Sequence, residues 1–195
     1  MTFDANICLD HVINFDVKIQ GRPLKRDRTE LVNQFIGKAF NKKDFIKLAY
    51  FANIRSETER NLFNAFTKQG GISSGRLNYP LSKFLLQSEE KLDQFFQKLH
   101  LLPNCTIQNE ILTLNQFFNK YEKIVRQKGS TAEIPDVNDC ELIVGTSKQT
   151  ESKKFIASAD GYLGSLSAEI SQQYAVKVIN FNDSTAVTSF DFTEI

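Results

Sequence analysis

The sequence predicts a three-layer α/β fold, a central parallel sheet between helices, with a helical insertion over residues 20–100. Three observations predict it. The C-terminal third alternates helix, strand, helix and strand at the spacing that right-handed crossovers need. Carboxylates fall just after strand-like runs or at helix starts, at Asp4, Glu110, Asp139 and Asp160. A chain of 195 residues suffices for one core, so one domain over 1–195 is expected to hold both sheet and insertion.

Met1 to Phe3 reads as a clipped first strand that delivers Asp4 at its end, and Ile7 to Phe15 fits helix or strand equally. From Thr29 to Ala52, apolar residues recur near helical spacing, which predicts two amphipathic helices broken near Asn41. Glu57 to Thr67 reads as a further helix closed by Gly70 and Gly71, and the segment to Pro80 is rich in turn residues. Leu81 to Leu101 is helical in pattern and ends before Pro103; a new helix can start from Thr106 as N-cap, with Glu110 in its first turns. Asp136 or Asn138 can cap a helix to about Ser147, with Asp136 the better plain cap. Lys154 to Ser158 reads as a strand, Tyr162 to Tyr174 as a helix, and Ala175 to Phe181 as the closing strand.

Composition narrows the function classes. No apolar run is long enough to span a bilayer, and the first residues lack the pattern of a signal peptide, so no membrane role is expected. Cys8, Cys105 and Cys140 are odd in number and far apart, which suits reduced thiols and a cytoplasmic location. Charge is segregated: Lys18 to Arg60 holds eleven Lys or Arg against five acids, whereas Ser130 to Ile195 holds four Lys against ten acids. Arg22, Lys25, Arg26, Arg28, Lys42, Lys43 and Lys47 can form a face that tracks RNA phosphates, although a solvated helix surface explains them equally well. His11 and His100 are isolated, which leaves little material for a histidine-based triad or zinc site. Gly71-Ile72-Ser73-Ser74-Gly75 has the letters of a nucleophile elbow without the preceding strand.

In an open parallel sheet the functional crevice lies beyond the carboxyl ends of the strands. Four acids converging there repel one another and call for a cation, and hard oxygen donors select Mg2+ or Mn2+. Such an ion supports phosphodiester hydrolysis. Asp10 and Glu141 are nearby acids that could substitute, but helical geometry turns Glu141 away from the face of Asp139.

Phe3-Asp4-Ala5-Asn6-Ile7-Cys8-Leu9 is similar to the Asp-x-Asn start of the PIN domain ribonucleases, and Thr106 to Leu112 looks like that family's Ser/Thr-x-x-x-Glu-Leu helix. Asp139 to Thr146 resembles its Asp-x-x-Ile-x-Ala segment, Phe155 to Asp160 its strand ending in Thr-x-Asp, and Tyr174 to Ile179 its last strand. The resemblance covers the first ten residues and about Leu101 to Phe181. It implies a divalent-metal-dependent ribonuclease whose metal ligands and catalytic groups are Asp4, Glu110, Asp139 and Asp160, with Asn6 and Ser158 as hydrogen-bonding groups behind them. RNA is the implied substrate; a role as the toxin of a toxin–antitoxin pair, an antitoxin or other protein partner, and a homodimer stay open. The alternative is a PIN-like module that binds protein or RNA without cutting. The chain departs from the pattern at Gly145, where Ala is common, at Gly161-Tyr162-Leu163, and in the long stretch between Asp4 and Thr106, which is what predicts the insertion.

Overall fold

The computed structural model describes residues 1–13, 18–19, 22–23, 28–68, 72–73, 76–103, 108–127 and 134–193. The chain opens with β1 (Thr2–Phe3) and α1 (Ala5–Val12), followed by the hairpin strands β2 (Lys18–Ile19) and β3 (Arg22–Pro23) and by α2 (Thr29–Asn41). Next come β4 (Ala49–Phe51), α3 (Ala52–Lys68), a second hairpin of β5 (Ile72–Ser73) and β6 (Arg76–Leu77), and α4 (Tyr79–Phe96). The second half runs β7 (His100–Leu102), α5 (Gln108–Gln127), α6 (Val137–Ser147), β8 (Phe155–Ser158), α7 (Gly161–Ser165), α8 (Ser167–Tyr174), β9 (Lys177–Asn180) and α9 (Ser184–Thr188).

Five strands form one parallel sheet in the order β7-β4-β1-β8-β9, flanked by helices as a three-layer α/β fold. The register pairs Thr2 with Ala49 on one side of β1, and Thr2 with Ile156 and Phe3 with Ala157 on the other. From β1 the chain moves to β4 and then β7, whereas from β8 it moves the opposite way to β9. Right-handed crossovers in opposite directions put their helices on opposite faces. Accordingly α1 packs on α2, α3 and α4, while α6 packs on α5, α8 and β8. The point of reversal lies between β1 and β8.

The central strands are buried on both faces, and so their residues read as continuous apolar runs rather than alternating ones. Phe3, Phe51, Phe96, Phe118 and Tyr162 are fully buried, each contributing roughly 1.5–3 kcal/mol by leaving water. The Tyr162 hydroxyl donates to the Phe118 carbonyl at 2.6 Å, tying α7 to α5. At Gly145, a Cβ would stand 2.3 Å from Cζ of Phe51, so α6 approaches the sheet at a distance that only glycine allows. The departure from Ala at this position therefore has a packing cause.

Four expectations need correction. The stretch after Asn41 is not a second helix: Lys42 to Ile46 turns, and Ala49–Phe51 is β4. Residues 20–100 are mostly helical but are no separate insertion, because β4 lies inside them and pairs directly with β1. Helix α4 stops at Phe96, and His100–Leu102 is an edge strand paired with β4. Asn78 caps α4 by accepting the Leu81 amide at 3.4 Å. The segment Tyr162 to Tyr174 is two helices, since Leu166 leaves helical geometry between α7 and α8. Ile72–Ser73 pairs antiparallel with Arg76–Leu77, a hairpin rather than a nucleophile elbow. Thr106, Gly70 and Gly71 lie outside the described residues, as does Cys105; Cys8 and Cys140 are buried free thiols. Among the described residues no helix is long and apolar enough to cross a membrane.

Candidate active site

Asp4 follows β1 and Asp160 follows β8, so both stand at the carboxyl ends of the two strands that flank the reversal, where α/β sheets open a crevice. The Asp4 amide donates to the Ala157 carbonyl at 3.0 Å, which keeps the two strand ends level. Asp4 is 4% exposed, and its Oδ2 accepts from Nδ2 of Asn6 at 2.8 Å and from the Ser158 hydroxyl. Oδ1 of Asn6 accepts the Ala159 amide at 3.0 Å, and the Ser158 hydroxyl oxygen accepts the Asp160 amide at 2.9 Å. Asn6 and Ser158 thus stitch the end of β1 to the end of β8. Asp160 caps α7, accepting the amides of Tyr162 at 2.7 Å and Leu163 at 2.8 Å.

Asp139 reaches the same edge because α6 runs antiparallel to β8 and begins there. Its start is a capping box: Asp136 accepts the amides of Asn138 at 2.8 Å and Asp139 at 3.2 Å, and Asp139 Oδ2 accepts the Asp136 amide at 3.0 Å. Asp136 is the cap that the sequence suggests.

The electrostatics join these acids into one site. Burial and the charges of Asp4 and Asp160 push the Asp139 carboxyl from 3.8 up to about 8. Burial, resisted by the Ser158 hydrogen bond and helped by Asp160 and Glu57, pushes Asp4 up to about 6. Burial also raises Asp160, against its two capping bonds. Each group feels a neighbour's charge through a poorly solvated interior.

Glu110 is not among them. Its Oε2 meets Lys148 Nζ at 2.8 Å, and Lys148 sits at the C-terminal end of α6. Nine residues of helix separate Lys148 from Asp139, about 14 Å at 1.5 Å per residue. The Cys140 thiol meets Oδ1 of Asn115 at 3.8 Å further along α5, so α5 and α6 run antiparallel and the start of α5 meets the end of α6. The start of α5, and Glu110 with it, therefore lies away from the edge where Asp139 begins α6.

The acid found in its place is Glu57, on the second turn of α3. Because β4 passes directly into α3, the first turns of this helix stand beside the end of β1. Oε2 of Glu57 accepts Nδ2 of Asn138 at 3.1 Å, and Oδ1 of Asn138 accepts Nδ2 of Asn53 at 3.2 Å. Asn53 Nδ2 also donates to Oε2 of Glu141 at 2.9 Å. Burial raises Glu57, opposed by the Asn138 bond, and Glu57 in turn acts on Asp4. A signal was present in the sequence: the polar residues Asn53, Arg55, Ser56 and Glu57 follow closely on the apolar Ala49-Tyr50-Phe51-Ala52. Glu141 is buried and held by Asn53, and Asp10 is buried in an ion pair with Arg28, so neither substitutes in the cluster.

The basic residues are dispersed. Arg28 binds Asp10 and reaches Oδ1 of Asn182 at 3.3 Å, while Asn182 Nδ2 donates to the Ala159 carbonyl at 2.9 Å, so Arg28 stands near the β8 end. Lys42 and Lys43 lie in the turn that leads into β4, at the opposite edge of the sheet, and Lys47 there pairs with Glu151 at 3.2 Å. Arg22 belongs to β3, and its side chain, like Lys25 and Arg26, lies outside the described residues. His11 Nδ1 donates to Oδ1 of Asn33 at 2.6 Å and its ring rests 4.6 Å from the Phe95 ring, a structural role; His100 is exposed on β7.

Among the described residues, no three His, Cys, Asp or Glu side chains are arranged so that they could hold a metal ion as they stand. The donor set is nevertheless all carboxylate oxygen, and its mutual repulsion is of the kind that a divalent cation removes. Compared with known protein families, with curated proteins and with solved structures, the chain matches none.

Proposed function

We propose that the chain is a divalent-metal-dependent ribonuclease of the PIN type, hydrolysing RNA phosphodiester bonds at the carboxyl ends of β1 and β8. The observation that carries this reading is the meeting of buried Asp4 with half-buried Asp139 and Asp160 at one strand edge, where partial burial and the other two charges lift Asp139 to about 8. The capping bonds of Asp139 and Asp160 do not require the charges, since a neutral Asn or Ser caps a helix start about as well without the mutual repulsion.

Asp4, Asp139 and Asp160 are the residues that would hold Mg2+ or Mn2+. When bound, such an ion would supply an activated water and offset the negative charge on the phosphate. Asn6 and Ser158 orient the Asp4 carboxylate and fix the β8 end against it. Glu57, held by Asn138 on the α3 side, would serve as the general base. Asp160, fixed by the amides at the start of α7, stands on the β8 side of the site.

The test compares the wild type with an Asp4→Asn, Asp160→Asn double variant on structured and unstructured RNA with Mn2+. Cleavage by the wild type that the variant lacks supports the enzyme. RNA binding without metal-dependent cleavage would instead support a non-catalytic interaction module.

A further inference from the structure

We infer that the groove between the starts of α3 and α6 holds the phosphate next to the scissile one of a single-stranded RNA, with Arg60 as its anchor. The inference rests on the reading of the neighbouring acids as a nuclease centre. Asn53, Glu57 and Arg60 recur four and three residues apart along α3, so they share one face of that helix. That face, with Ala52 and Ser56 beside it and Asn138 from α6, lines a groove of about 460 Å³.

Its lining is polar or small and contains no aromatic ring, which suits a sugar–phosphate backbone better than a stacked base. The volume is on the scale of one small ligand and far below an A-form duplex, whose recognition spans many base pairs. Asn53 and Asn138 commit their amides to each other, to Glu57 and to Glu141, so they hold the wall in place. Arg55, on another face of α3, is bound to Glu59 at 2.9 Å and to Asp93. Arg60 is exposed and lines the same groove as Glu57, on which its charge acts. A guanidinium there offers paired donors to a phosphate one nucleotide from the cut.

The experiment uses the full chain carrying Asp139→Asn, without metal, so that RNA stays intact. Binding of a fluorescent single-stranded RNA is followed by anisotropy across roughly 50 to 200 mM salt. Adding Arg60→Gln should weaken binding roughly three- to tenfold and lower the log–log salt slope by about 0.7, the share of one single-strand phosphate. Arg60→Lys should recover most of the slope, because the charge returns. Unchanged affinity and slope in Arg60→Gln overturns the assignment, and so does an equal loss on a duplex of the same sequence. Failure of the nuclease reading is seen separately, as wild-type protein leaving the RNA whole with Mn2+.

Discussion

Exchanging Asp139 for asparagine separates the charge of this residue from its capping role. The amide oxygen can accept the Asp136 amide as Oδ2 now does at 3.0 Å, so the capping box survives. One negative charge facing Asp4 and Asp160 is removed. A carboxyl raised from 3.8 to about 8 binds more protons folded than unfolded between those values. Stability therefore falls as pH climbs through that window and levels off above it. At about 1.4 kcal/mol per pH unit, the ceiling is about 6 kcal/mol. Protonating any one of the three acids relieves the others, and water reaches the half-buried side chain, so about 2–3 kcal/mol is the expected share of Asp139. Metal-free Asp139→Asn protein should gain about that much unfolding free energy near pH 8 and less than about 0.5 kcal/mol near pH 4, read by urea denaturation. Millimolar Mn2+ should raise the wild-type midpoint and leave that of the variant nearly unmoved. A variant no more stable than the wild type near pH 8, or one with the same gain at both pH values, refutes the electrostatic account.

Initial cleavage rates on one RNA should fall about 100-fold or more in Glu57→Gln and stay within about twofold in Glu110→Gln; the reverse pattern restores Glu110 to the site. Ser158→Ala removes the donor to Asp4 and the acceptor of the Asp160 amide, and should cost about 1–3 kcal/mol. It should also lift the Asp4 carboxyl further, seen as a later carboxyl titration by NMR, because the Ser158 bond now lowers it. Gly145→Ala puts a methyl 2.3 Å from a ring atom of Phe51 and should destabilise by about 1–3 kcal/mol, with Phe51→Leu recovering part of the loss in a double-mutant cycle. Ala175 ends α8 at φ 55, so Ala175→Gly should stabilise by up to about 1 kcal/mol in thermal melts.

Much of the C-terminal third was legible because its signals are local. The Asp136 cap, the apolar run Phe155 to Ala157 and the acid after Ser158 all lie within a few residues of what they organise. Strand β4 was hidden for an equally local reason. Buried on both faces, Ala49-Tyr50-Phe51 shows no alternation, and it continues an apolar series from Phe45 and Leu48 that fits helical spacing. Missing that strand turned a sheet segment into an insertion and left Glu57 on a helix with no apparent address.

Asp4, Asp139 and Asp160, with Asn6 and Ser158 behind them, follow from chain-local features: strand ends and a capped helix start, each set by neighbours in sequence. The choice between Glu57 and Glu110 does not. Both acids occupy early helical turns, and only the direction in which each helix crosses the sheet separates them. That direction is decided by long-range packing, with α3 leaving β4 beside β1 and α5 lying antiparallel to α6. No periodicity in the residues themselves encodes it.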